Sequence, residues 1–204
     1  MNQDTVTTVD LLRHGEPQGG VRYRGALDDP LSERGWEQMH AAVGQHCPWQ
    51  VIVSSPLRRC AVFASALAEQ HGLPLDIEPG LHEMRFGVWE GRTPAEIMAA
   101  TPDALERFWR DPLTHPPPEG EALPDFKTRV VSAWQALLTR HAGTHVLVVG
   151  HGGIIRMVLC HILDIPLQRL WRLEVPYATL SQVRIHGTGS SAAPMLVFHG
   201  KKPE

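Results

Sequence analysis

Three short apolar runs in this sequence end in residues that ionise. Residues 9–12 run into Arg13 and His14, residues 51–53 into "SSPLRRC" with Arg58 and Arg59, and residues 146–149 into "GHGG" with His151. Guanidinium forks match the oxygens of a phosphate, and free amides at a helix start favour anions. An imidazole among them has two possible jobs: metal ligand, or nucleophile and partner in phosphoryl transfer. Cations crowding the same rim disfavour a metal. No H-E-x-x-H or comparable spacing occurs, and His141 and His145 straddle a glycine. A lone histidine at a strand end is ordinarily only a polar boundary residue, so the convergence matters more than any one position.

The elements that must hold these residues alternate. Apolar periodicity marks strands at 6–12, 50–53, 75–78, 145–149, 180–185 and 195–198, with helical patterns between most of them. Ser55 and Pro56 read as the N-cap and first residue of a helix carrying Leu57, Cys60, Ala61, Ala64, Leu67 and Ala68 on one face. That register puts Arg58 and Arg59 in the first turn, where the helix dipole disfavours a cation by roughly 0.3–1 kcal/mol. Such a local violation is expected where function requires it. Further helices start at Thr93-Pro94, with the Glu96 of a capping box, and at Thr101-Pro102. Others span about 124–141 and 152–163. The pattern predicts one α/β domain over residues 1–204, a three-layer α/β/α sandwich with a mostly parallel central sheet. In such sheets ligands bind beyond the carboxyl ends of the strands. Residues 109–125 carry five prolines and read as a stiff loop between helices.

Composition sets the surroundings. Nineteen basic and 22 acidic residues leave no global field for nucleic acid or an anionic membrane. Three widely spaced cysteines fit a reducing compartment better than a disulfide framework. The amino terminus lacks the pattern of a secretory signal, and no apolar run approaches the ~20 residues that span a bilayer. The expectation is a cytoplasmic protein that acts on a small phosphorylated molecule.

Four ordered segments, "LLRHGEP", "SSPLRRC", "LHEMRFGVWEG" and "VVGHGGIIR", together resemble the motifs of the histidine phosphatase superfamily, in its phosphoglycerate-mutase-like branch. The resemblance implies that His14 is the nucleophile, that Arg13 and Arg59 clamp phosphate, and that His151 and the Gly152 amide complete the pocket. It also implies that Glu83 is the proton donor and that no metal or cofactor takes part. Arg58 is the second candidate for the clamp. Where the family often has asparagine six residues past the nucleophile, this sequence has Gly20, and Arg22 or Arg24 would compensate.

"GGVRYRGALDDPL" is most similar to α-ribazole phosphatases of cobalamin synthesis, which makes Arg22, Arg24 and Gly25 substrate-binding candidates. Tyr23, Trp89, Phe108 and Trp109 would then stack on a base, with Glu119 or Glu121 turned into the substrate mouth. A broad-specificity, sugar-phosphate or mutase-like enzyme, a non-catalytic phosphate-binding protein, and a homodimer all stay open.

Overall fold

The computed structural model describes residues 5–201. Six strands form one sheet: β1 (Val6–Arg13), β2 (Val51–Ser54), β3 (Leu75–Ile77), β4 (His145–Gly150), β5 (Leu180–His186) and β6 (Ala193–Lys201). Their order is β3-β2-β4-β1-β5-β6. The first four run parallel, while β5 pairs antiparallel with both β1 and β6. The sheet is α/β and mostly parallel, as its alternating pattern required.

Six α-helices are described: α1 (Glu33–Val43), α2 (Arg58–His71), α3 (Pro94–Ala100), α4 (Ala104–Arg110), α5 (Leu123–Arg140) and α6 (Gly152–Ile162). The pleat sorts the strand residues between two cores. Val9, Leu11, Val51, Val53, Val146 and Val148 pack with α5 and α6 residues such as Phe126, Val130, Ile155 and Val158. Leu12, Ile52, Leu147 and Val149 pack on the other face with Met39, Phe63 and Leu67 of α1 and α2. Central strands buried on both faces explain why β4 reads as a continuous apolar run.

Two helix starts differ from the sequence expectation. α2 begins at Arg58, with Leu57 at the cap position and no side-chain cap. Its first amide is instead held by Asp28 from a distant loop, through Arg58 N to Oδ1 at 2.7 Å. α4 begins after Asp103 rather than at Thr101, and Asp103 takes a left-handed φ of 62°. α1 was not anticipated at all. Its buried stripe is only Gly35, Met39 and Val43, too thin to read, although Ser32 caps it through Gly35 N. Gly35 has a separate constraint: a Cβ there would stand 2.1 Å from Glu16 O.

Among the described residues no helix is long and apolar enough to cross a membrane.

Candidate active site

Strand register builds the site. Arg13 stands opposite Gly150 and Ser54 opposite Val149, so the parallel ladder brings three strand ends to one rim. The ladder continues one residue further: His14 N donates to Gly150 O at 2.9 Å and Ser55 N to Val149 O at 3.0 Å. His14, Ser55 and His151 therefore sit side by side. The His14 and His151 rings meet edge-on with centroids 5.2 Å apart. Because β5 is antiparallel, its entry delivers Tyr177 to the same rim, 5.6 Å from the His14 ring.

His14 is almost fully buried. Its Nδ1–H donates to Gly15 O at 2.7 Å, which fixes the tautomer and leaves Nε2 as the unprotonated nitrogen. Burial holds its pKa well below the ordinary histidine value, and the Arg13 and Arg59 charges push the same way. His151 is driven down for the same reasons, by burial first and then by Arg59. Its Nε2 is hydrogen-bonded to Ser55 Oγ at 2.7 Å. Ser55, read from sequence as a helix cap, instead anchors this imidazole while Leu57 N donates to the same oxygen at 3.3 Å. Cys60 lies beneath, with Sγ 3.6 Å from His151 Nε2, and burial pushes its thiol up to about 12. It is therefore unreactive as a nucleophile.

The two clamp arginines are arranged differently. Arg13 donates Nη1 to Val175 O and has its guanidinium carbon 4.0 Å from the centre of the Tyr177 ring. Arg59 has no exposed surface and holds the 25–27 loop, donating to Leu27 O at 2.8 Å and Gly25 O at 3.1 Å. In both, Nε is buried with no protein partner among the described residues. Orphaned buried donors on cations are costly and are tolerated where a ligand is to accept from them.

Glu83 comes from the irregular segment between β3 and α3. Its Oε2 accepts from Gly153 N in the first turn of α6 at 2.9 Å, and its Oε1 from Met84 N at 3.0 Å. A Cβ on Gly153 would lie 2.3 Å from Oε1, so glycine is required there. Both flanks of Glu83 are fastened to α5. Arg129 Nη1 donates to Gly80 O and His82 O at 2.8 and 2.9 Å. The rest of its fork grips Glu121, Nε to Oε1 at 3.0 Å and Nη2 to Oε2 at 2.8 Å. Glu121 exchanges backbone contacts with Arg85, donating from its amide at 2.9 Å and accepting on Oε2 at 3.3 Å.

A cavity of about 280 Å³ opens over this rim, lined by Arg13, His14, Arg22, Arg24, Glu83, Gly152 and Arg156, with Tyr23, Trp171 and Tyr177 on its walls. Arg59 and His151, both fully buried, are not among its lining residues. A larger cavity of about 820 Å³ lies at the far end, between α5, α6 and the β5–β6 connection. It contains none of the residues above, and neither arginine nor lysine is among its lining residues.

Several sequence-based assignments change. Arg58 points to solvent, contributes only its amide to Asp28, and does not line the cavity, so Arg59 is the inward member of the pair. Arg24 lines the cavity, but its guanidinium is spent on Asp29 at 2.7 Å, on Gly20 O at 2.7 Å and on Gln18 O. It folds the 18–29 loop. Gly25 is buried where a Cβ would meet Met84 O at 2.2 Å, so it serves packing rather than substrate. Trp89 and Phe108 are core residues, 5.3 Å apart edge-on. Glu121 is turned onto Arg129 and Glu119 onto solvent, so the proline-rich loop buttresses Glu83 rather than forming a mouth. Val88 N donating to Pro118 O at 3.0 Å adds to that buttress. Arg22 is exposed at the rim, and its side chain has no hydrogen-bond or ion-pair partner among the described residues.

Sequence reasoning missed Ser55, Arg156 and Tyr177. Arg156 was visible in "GHGGIIR", four residues past Gly152 and hence one helical turn on. Tyr177 carried no local signal, because only the antiparallel return of β5 places it.

The model of the histidine phosphatase superfamily (branch 1) matches residues 9–195. A Mycobacterium tuberculosis protein described as bifunctional is 34% identical over 197 residues, 94% of this chain and 54% of that protein. The chain thus spans about half the length of the relatives it matches first. A glucosyl-3-phosphoglycerate phosphatase of Mycolicibacterium vanbaalenii is 35% identical, covering 89% of this chain and 85% of that one. The Escherichia coli adenosylcobalamin/alpha-ribazole phosphatase is 28% identical, covering 86% and 89%. Among solved structures, one titled mycobacterial hydrolase 2 superposes with a TM-score of 0.87 at 28% identity, over 98% of this chain and 93% of that one. The chain belongs to the histidine phosphatase superfamily, branch 1.

Proposed function

We propose that the chain is a metal-independent phosphomonoesterase that works through a phosphohistidine on His14. The observation that carries this reading is the His14 tautomer. With Nδ1–H fixed on Gly15 O, the lone pair of Nε2 is available to attack phosphorus beside Arg13. Keeping the ring neutral at pH 7 is what burial and the neighbouring guanidiniums accomplish.

The steps follow from the positions. Nε2 displaces the alkoxide in line, and the phosphoryl group passes to His14. Arg13, Arg59, His151 and the amide of Gly152 stabilise charge on its equatorial oxygens. Glu83, in its protonated form, gives its proton to the leaving oxygen. As a carboxylate it then removes one from water, which attacks the phosphohistidine and releases inorganic phosphate. The leaving-group proton and the water proton balance, so the enzyme ends as it began.

Release of p-nitrophenol and phosphate from p-nitrophenyl phosphate in the presence of EDTA tests this. Steady turnover supports the reading. A lack of turnover returns the chain to the non-catalytic phosphate-binding class.

A second, narrower reading makes α-ribazole 5′-phosphate the substrate. The "GGVRYRGALDDPL" loop and the E. coli relative favour it. Its support is thinner because Arg24 and Gly25 are used in folding that loop. Comparing kcat/KM on α-ribazole phosphate and on phosphoglycerate decides it, and a ratio near one removes it.

A further inference from the structure

The cavity is lined by a part-buried guanidinium that neither phosphoryl transfer nor loop folding uses. Arg156, in the second turn of α6, donates Nε to Leu173 O at 2.7 Å and lies 5.4 Å from the Trp171 ring. Those contacts orient the fork and leave both Nη atoms without a protein acceptor among the described residues. One of them converges with Arg13 over Gly152. Measured from where a Cβ would stand, Arg156 Nη1 is 2.9 Å away and Arg13 Nε 3.3 Å. Gly152 is therefore the residue that lets two cations share this corner.

Neither Arg13, Arg59 nor Arg156 has a carboxylate within ion-pair distance among the described residues, whereas Arg24, Arg34, Arg110, Arg129 and Arg140 each do. Buried charges are ordinarily paired. When Glu83 carries the proton it must donate, Arg13, Arg59 and Arg156 together outweigh a phosphoryl dianion by one positive charge. Trp171 Nε1, buried on the same wall, also lacks a partner among the described residues. Arg22 adds an exposed cation at the rim, with no ion-pair partner among the described residues. At about 280 Å³ the cavity is at the small end for ligand sites and suits a compact leaving group.

Resting on the phosphatase reading above, we infer that Arg156, assisted by Arg22, forms a second anion subsite, and that the substrate is a small phosphomonoester whose leaving group carries a carboxylate. Arg13 and Arg59 hold the transferring group while Arg156 receives the carboxylate and fixes the ester oxygen beside Glu83. The subsite acts on specificity: an acid and its alcohol analogue share the phosphate contacts and differ only here.

The test uses a matched pair, 3-phosphoglycerate and glycerol 3-phosphate, which differ by a carboxylate against a hydroxymethyl group, with p-nitrophenyl phosphate as reference. The wild-type protein should prefer the acid at least tenfold in kcat/KM, and added salt should narrow the gap. Arg156→Gln should bring the ratio to within about threefold of one, and Arg156→Lys should retain part of it. Arg22→Gln, on an exposed side chain, should lower the ratio severalfold and guards against a misfolded Arg156 variant. A wild-type ratio near one, or equal losses on both esters in Arg156→Gln, overturns the subsite while p-nitrophenyl phosphate turnover leaves the phosphatase reading intact. No turnover of any ester overturns both.

Discussion

Strand β1 carries two buried polar clusters, and they are finished differently. Asp10, in its interior, accepts from Trp49 Nε1 at 2.7 Å and from His145 Nε2 at 2.9 Å on one oxygen, and from Gln182 Nε2 at 2.9 Å on the other. Every strong partner there is satisfied within the protein. Three residues on, Arg13 leaves Nε orphaned, Arg59 does the same, and His14 presents an unprotonated nitrogen. A closed cluster joins strands. An open one waits for something to complete it. The same strand supplies a cross-brace for the sheet and a docking point for an anion, and hydrogen-bond satisfaction separates the two.

Substitution at each cluster should break the comparison in opposite ways. His14→Ala should lower kcat by about 10⁴ or more while the protein keeps its cooperative unfolding transition, because only the open cluster loses its reactive group. Steady-state kinetics and thermal unfolding on one sample check both halves. Asp10→Ala should do the reverse. It strands three donors and should cost about 3 kcal/mol of stability, measured by urea unfolding, while kcat of the folded protein changes less than about threefold.

A smaller effect is expected at Arg129, which touches neither cluster but holds both flanks of Glu83. Arg129→Met should slow an alkyl phosphate about tenfold more than p-nitrophenyl phosphate, because a misplaced acid matters most when the leaving group is poor. Equal slowing would make Arg129 a purely structural brace.

The smallest effect concerns pH. Burial and the neighbouring arginines lower the folded-state pKa of His14 and His151, while the unfolded chain keeps a value near 6.5. Below about pH 6.5 the unfolded state therefore binds more protons, and acidification lowers stability. The expected slope is at most about 1.4 kcal/mol per pH unit for each histidine. Comparing urea unfolding at pH 7.5 and 5.5 for the wild type and His14→Ala should show a shallower loss in the variant. Parallel pH dependences would place the titrating groups elsewhere.

Much of this was legible in the residues, for a physical reason. Strands buried on both faces must be apolar, so an arginine or histidine where such a run stops stands out, and the parallel register then brings these stops together. His14, Arg13 and His151 were readable in that way, and the two-arginine pair narrowed the clamp to Arg58 or Arg59. The resemblance chose Arg59, and its inward turn follows from a helix that starts at Arg58, whose amide Asp28 holds from thirty residues away. The roles of Arg24, Gly25 and Glu121 were misread because loop folding consumes the same side chains that binding would. Arg24 on Asp29 and Glu121 on Arg129 are pairings that composition and spacing do not encode. Tyr177 and Ser55 became visible only when antiparallel and parallel strands were set side by side.

The central claim is that the Nε2 of His14 takes the phosphoryl group. Rapid acid-free quenching during turnover of a ³²P-labelled phosphomonoester, followed by proteolysis and mass spectrometry, tests it most directly. An acid-labile, base-stable phosphate is expected on Nε2 of His14, absent in His14→Ala and slower to clear in Glu83→Gln. Label on His151, on Ser55 or on Cys60, or turnover that persists in His14→Ala, would contradict it.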